Sequence, residues 1–403
     1  MKLSETSSLP GPPETSEIYL PSTRITISYY VAFVALGLTA ASLGPTLLGL
    51  ANHTHTQPGQ ISFLFPARAL GYMLGSLVGG QLYDRRPGNP LMGMMLIVLA
   101  LGLALTPIIS WLWLLAIILL GIGLVEGGID VGGNTLLVWL HRNRVGPFMN
   151  ALHFFFALGA TLSPIIIAQA LGLTGDITWG YWALAILVFP VSTWLFNLPS
   201  PIPQRAGEAR PARPADRLLV FLLAVFFFFF VAAEVSYGGW IALYAFTSDL
   251  ATQTTAAYMT AAFWGALMLG RLCSIPLARH FGPRTILLSD LLGCLFGVSL
   301  LLIWPGSLAA AWLGTCGIGF AMASLFPTAI SLAEQSMPIT GRITSWFLVG
   351  ASLGGMSLPW LIGQLFAALG PQVVMWAIWL DLAAALALFL VLRGQLGRGN
   401  YER

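Results

Sequence analysis

Twelve times along this chain an apolar run reaches the roughly 20 residues that an α-helix needs to cross a hydrocarbon layer. The predicted spans are 25–50, 61–83, 90–109, 111–139, 146–172, 179–197, 218–247, 254–278, 284–304, 307–335, 341–369 and 371–393. Composition agrees: 57% of the 403 residues are hydrophobic and 8% are charged, against about 25% charged in a soluble domain. In lipid each span must satisfy its own backbone hydrogen bonds, so runs of this length are helices. The expected fold class is an all-α membrane protein of twelve transmembrane helices, with the lipid bilayer as its surroundings.

The basic residues order those helices. Of eighteen Lys and Arg, two lie deep inside predicted spans, Arg68 and Arg271, while Arg284, Arg342 and Arg393 fall at span ends. The others, from Lys2 and Arg24 through Arg85, Arg142, Arg205, Arg279, Arg342 and Arg403, all fall at one side. Opposite loops such as ANHTHTQPGQ and SDLATQ contain none. Because basic loops stay in the cytoplasm, both termini are expected there, in a multi-pass protein of the cytoplasmic (inner) membrane. Residues 1–24 are polar, with no basic stretch leading into a short apolar core, and read as a cytoplasmic tail without a cleaved signal. A Pro/Arg/Ala-rich segment, 198–217, is the one long hydrophilic interior stretch and reads as a cytoplasmic linker. It separates two six-helix halves, 25–197 and 218–393, and 394–403 form a second tail. A shift of 195 residues overlays Gly75 on Gly270, Gly146 on Gly341, Gly159 on Gly354, Pro164 on Pro359 and Gln169 on Gln364. The halves therefore read as parallel pseudo-repeats.

Several functions drop out. A single lysine and scattered arginines give no nucleic-acid footprint. Cys273, Cys294 and Cys316 lie in apolar segments without CxxC spacing, which points to neither disulfide nor metal site. No Ser/His pair, His-Glu-x-x-His or paired-Asp constellation supports an enzyme, so no catalytic residue, metal or cofactor is expected.

What remains is a small set of polar side chains where lipid-facing helices should have none. Glu126, Asp130 and Asn134 recur every four residues and share one helical face, and Asn150 and His153 share a face of the next helix. A carboxylate at bilayer depth costs about 2.5 kcal/mol or more, so these residues should face a cavity or a partner. Asp130 is the prime candidate for ion coupling, with Glu126 as a second. A proton, or sodium held by carboxylate and amide oxygens, would neutralise it. The competing reading is an acid that pairs with a nearby Arg to hold helices together. Asn134, Asn150 and His153 are candidate substrate ligands, since an amide both donates to and accepts from hydroxyls. Glu234, Tyr237 and Trp240 form a one-face stripe suited to a carbohydrate platform, although such stripes are more often plain packing. Arg271 and Asp290 are expected to form a structural pair. Arg68 and Asp381 have no partner evident in the sequence.

Gly80-x-Leu82-x-Asp84-Arg85 followed by Gly88 resembles the loop motif of major facilitator carriers, with one residue inserted before the last glycine. The resemblance covers the whole chain, and implies the two-repeat major facilitator fold with a gating role for Gly80, Asp84 and Arg85. In the second half Arg279 stands where the Asp should be, which implies a one-sided lock. Asp130-Val-Gly-Gly-Asn134 resembles the Glu-x-x-x-Asn element of fucose permease-like sugar carriers. Asn150-x-x-His153 resembles their Asn-x-x-Gln. Glu234-x-x-x-Gly238-x-Trp240 is similar to a pattern of carriers related to sodium-dependent glucose transporter 1. Unlike fucose permease, the first helix carries no acid. The resemblance implies a monomeric carrier working by alternating access, with a small neutral polar solute, a sugar, as cargo and H+ or Na+ as coupling ion. The rival is a proton-coupled drug or metabolite efflux antiporter, disfavoured because the fifth helix lacks the Gly-Pro-x-x-Gly-Gly element. Substrate identity, coupling ion and direction stay open.

Overall fold

A computed structural model describes residues 20–202, 217–337 and 341–398. Most of the first tail and of the linker expected at 198–217, and the last residues of the second tail, lie outside the described residues. The described chain is helical, and twelve of its helical stretches are long and apolar enough to cross a membrane. In order the helices are α1 (Leu20–Ala40), α2 (Leu43–His53), α3 (Pro58–Ile61), α4 (Leu64–Arg85), α5 (Gly88–Leu105), α6 (Leu112–His141), α7 (Val145–Thr174) and α8 (Thr178–Phe196). The second half comprises α9 (Arg217–Thr247), α10 (Gln253–His280), α11 (Pro283–Ile303), α12 (Leu308–Met322), α13 (Leu325–Ser336), α14 (Gly341–Leu369) and α15 (Val373–Arg398).

Fifteen helices arise from twelve spans because three spans are broken. The breaks fall at Ala41–Ser42, Ser62–Phe63 and Ala323–Ser324. Each lies about four residues before a proline: Pro45, Pro66 and Pro327. A proline ring clashes with the carbonyl four residues back and offers it no N–H, so the ladder opens there. Pro164, Pro190, Pro276 and Pro359 sit inside continuous helices.

The pseudo-repeat is carried by close backbone contact. A Cβ on Gly75 would overlap the carbonyl of Leu124 in α6, and one on Gly270 would meet the Phe320 carbonyl in α12. Gly159 likewise lies against the Val34 carbonyl of α1, and Gly354 against Phe228 of α9. Without competition from water, membrane helices associate through such small-residue faces. Two of the three sequence-matched glycine pairs thus do the same work in each half.

The halves meet at the end whose loops carry no arginine. There Gly44 of α2 abuts the Gly238 backbone of α9, α3 and α4 lie along α14, and α7 lies along α10. The Trp240 ring stacks between Phe65 of the first half, at 5.9 Å, and Phe366 of the second, at 5.5 Å. Toward the arginine-rich end Asn150 and His153 are exposed between the halves. The molecule is closed at one end and open at the other.

Candidate functional site

The α4–α6 contact brings two polar ladders into register. Arg68 and Tyr72 stand one turn apart on α4, and Glu126, Asp130 and Asn134 stand one turn apart on α6. Arg68 meets Glu126 through both carboxylate oxygens, at 2.8 Å from Nε and 2.5 Å from Nη2. The guanidinium also donates to the carbonyls of Thr39, at 2.9 Å, and Ala40, at 3.2 Å. Those carbonyls end α1 at the break before Pro45, where Thr39 also accepts from the Ser42 N–H, so Arg68 helps to cap a broken helix while neutralising Glu126. The pair is largely buried, with side chains 14% and 5% exposed. Arg68 therefore has a partner that its own helix does not reveal. The alternative weighed for this face, an acid tied to a nearby Arg, is realised at Glu126.

One turn on, the arrangement changes character. The Tyr72 hydroxyl donates to Asp130 Oδ2, and Asn134 Nδ2 donates to Asp130 Oδ1 at 3.1 Å and to its backbone carbonyl at 2.8 Å. All of these donors are neutral. His153 of α7 lies in the electrostatic field of Asp130 on its own half and of Arg271 on the other. Asn150 lies one turn toward the open end. Asp130, half-buried, thus borders the space between the halves with hydrogen-bond partners but no bonded counter-ion among the described residues.

The second half departs from expectation in two places. Arg271 and Asp290 do not pair among the described residues. Asp290 accepts a hydrogen bond from Ser324 at 2.5 Å, at the α12 break, while Arg271 interacts across the α9–α10 contact with Glu234. The reason is helical phase: Asp290 points toward the proline-opened turn of α12, which needs a polar partner. Nor do Glu234, Tyr237 and Trp240 form an open stripe. Tyr237 and Trp240 are 0% exposed. Their polar atoms are satisfied inside the protein, by Thr315 at 2.8 Å and by the Pro359 carbonyl at 3.1 Å. In this structure they are packing, and Trp240 belongs to the closed end. Of the stripe Glu234 alone is half-buried beside the opening.

Residues 29–359 match the family model described as Major Facilitator Superfamily. The chain belongs to the Major Facilitator Superfamily. A mouse protein named sodium-dependent glucose transporter 1A is 31% identical over 374 residues, spanning 83% of this chain and 88% of the relative. A solved structure of a bacterial homolog of the human lysosomal transporter Spinster, described as inward-facing and occupied, superposes with a TM-score of 0.74 at 11% identity, over 94% of this chain and 97% of that one. A D-xylose-proton symporter superposes with a TM-score of 0.73 at 14% identity, over 91% and 97%. At those identities the two structures show the shared fold. The chain is a multi-pass membrane protein of a transporter superfamily.

Gly80, Asp84 and Arg85 lie at the open end of α4, where Asp84 and Arg85 are exposed and make no side-chain hydrogen bond or ion pair among the described residues. Asp381 of α15 is buried, and its Oδ2 has no hydrogen-bond partner among the described residues. Sequence reasoning missed Tyr72. The signal was available: the four-residue spacing of Arg68 and Tyr72 matches that of Glu126 and Asp130, on two glycine-rich spans.

Proposed function

We propose that the chain is a secondary carrier of a small polar solute, a sugar, coupled to a cation bound at Asp130. The observation that carries this reading is the contrast between two neighbouring carboxylates. Glu126 has a built-in counter-ion, whereas Asp130 has neutral donors and borders the opening. A charged group there opposes passage through a closed, low-dielectric state, and a bound cation removes that opposition. Asn134, Asn150, His153 and Glu234 supply donors and acceptors for hydroxyls around the same space. The name of the mouse relative, a sodium-dependent glucose transporter, supports a sugar. Read with the positive-inside rule, the open end is cytoplasmic, and the structure is the inward-open state of an alternating-access cycle.

The test is uptake of a panel of radiolabelled monosaccharides into proteoliposomes, under an imposed proton or sodium gradient. Accumulation of a sugar above equilibrium under one of the two gradients is expected. Absence of uptake for every sugar, with energised efflux of lipophilic cations instead, would overturn the reading and favour the exporter.

A further inference from the structure

The glutamines that matched at the 195-residue shift, Gln169 and Gln364, are not used by the proposed site. Both sit at the closed end, and each reaches from one half to the other. Gln169 of α7 donates through Nε2 to the Tyr258 hydroxyl of α10 at 2.5 Å. Gln364 of α14 donates through Nε2 to the Gly59 carbonyl of α3 at 2.6 Å and to Ser62 Oγ at 3.2 Å. In helix order these are one contact made twice: the fifth span of either half, near its arginine-free end, touches the start of the other half's second span. A nearby glycine also touches the other half beside each glutamine. A Cβ on Gly172 would stand 3.6 Å from Thr254, and Gly363 packs directly on Ser62 and the Pro58 carbonyl.

We propose that Gln169 and Gln364 are paired clasps that set how readily the closed end opens. The aromatic stack of Phe65, Trp240 and Phe366 fills the closed end but is apolar, and it would pack in several slightly different registers. The clasps are directional and span the interface at two points related by the internal repeat, so neither lets the halves pivot about the other. Both glutamines are exposed, and water competes for each bond, so each contributes a modest, reversible share. That suits a gate that must release on every cycle. The inference concerns the equilibrium between conformations and stands whatever the cargo is.

The experiment uses the full chain, reconstituted, with its three cysteines replaced. One pair of spin labels at Asn52 and Thr247 reports the closed end, and another at Arg144 and His280 reports the open end. Each of Gln169→Leu and Gln364→Leu is expected to raise the ratio of open to closed at the Asn52–Thr247 end about threefold, and the double variant about tenfold. The Arg144–His280 distance should shorten in step. Unchanged distance distributions in the double variant would overturn the proposal. If that variant does not fold, cysteine pairs at Gln169 with Tyr258 and at Gln364 with Ser62 serve instead, in a chain with a protease site placed between residues 203 and 216. Oxidation should hold the cleaved halves together on a non-reducing gel, and failure of both pairs to cross-link in the folded protein would equally overturn it.

Discussion

At the scale of single residues, Arg68 is the side chain on which most depends. It binds Glu126 with two hydrogen bonds and holds two carbonyls of a broken helix. Removing one member of a buried pair strands the other, at a cost of about 3–5 kcal/mol, whereas replacing both with apolar residues of similar size can be near neutral. Arg68→Ala and Glu126→Ala should each lower the unfolding midpoint of the purified protein sharply. The Arg68→Met/Glu126→Leu double variant should cost far less than the sum of the two single changes. Additive losses would show that the pair is not a unit. Tyr72→Phe removes a donor to Asp130 with little change in volume. It is expected to raise the half-saturating cation concentration for transport severalfold while leaving the sugar KM within about twofold. A change in thermal stability with unaltered cation dependence would reduce Tyr72 to a packing role. The polar face of α6 was legible in the sequence as a four-residue period. Which of its two acids is free was not, because that depends on how α4 slides along α6.

At the scale of elements, prolines and glycines decide the geometry. The three helix breaks lie about four residues before Pro45, Pro66 and Pro327, and two of them are met by a polar side chain from a neighbouring helix: Arg68 at Thr39 and Ala40, and Asp290 through Ser324. The spans were legible as apolar runs, but the breaks were not, since Pro164 and Pro359 leave their helices continuous. The difference lies in tertiary partners, which a single sequence does not display. The pairing of Arg271 with Asp290 failed for the same reason, because helical phase across a bundle decides it. Gly75 makes a clean test of the close α4–α6 approach. Gly75→Val places methyl groups against the Leu124 carbonyl and should force the helices apart, weakening both the Arg68 and the Tyr72 contacts at a cost of more than about 2 kcal/mol. Gly121→Ala on the same α6, where a Cβ would meet nothing within 4 Å, should be neutral or stabilising by up to ~1 kcal/mol. Equal destabilisation of the two variants, measured by thermal unfolding, would refute the close-packing account.

At the scale of the whole molecule, the two-repeat architecture and the asymmetry of arginine between the ends were both legible from sequence. The state of the cycle was not: closure depends on contacts between residues some 90 to 300 positions apart, such as Gln169 with Tyr258 and Gln364 with Gly59. The aromatic stripe on α9 shows the limit most plainly. Its spacing suits a sugar platform, yet Trp240 is taken up by Phe65 and Phe366 where the halves meet. The central claim is that Asp130, and not its paired neighbour, couples a cation to movement of the cargo. The most direct measurement compares wild type with Asp130→Asn in proteoliposomes loaded with the sugar identified by the panel. The account predicts that the variant keeps sugar-for-sugar exchange across the membrane and loses gradient-driven accumulation. Accumulation by Asp130→Asn at the wild-type level would contradict it.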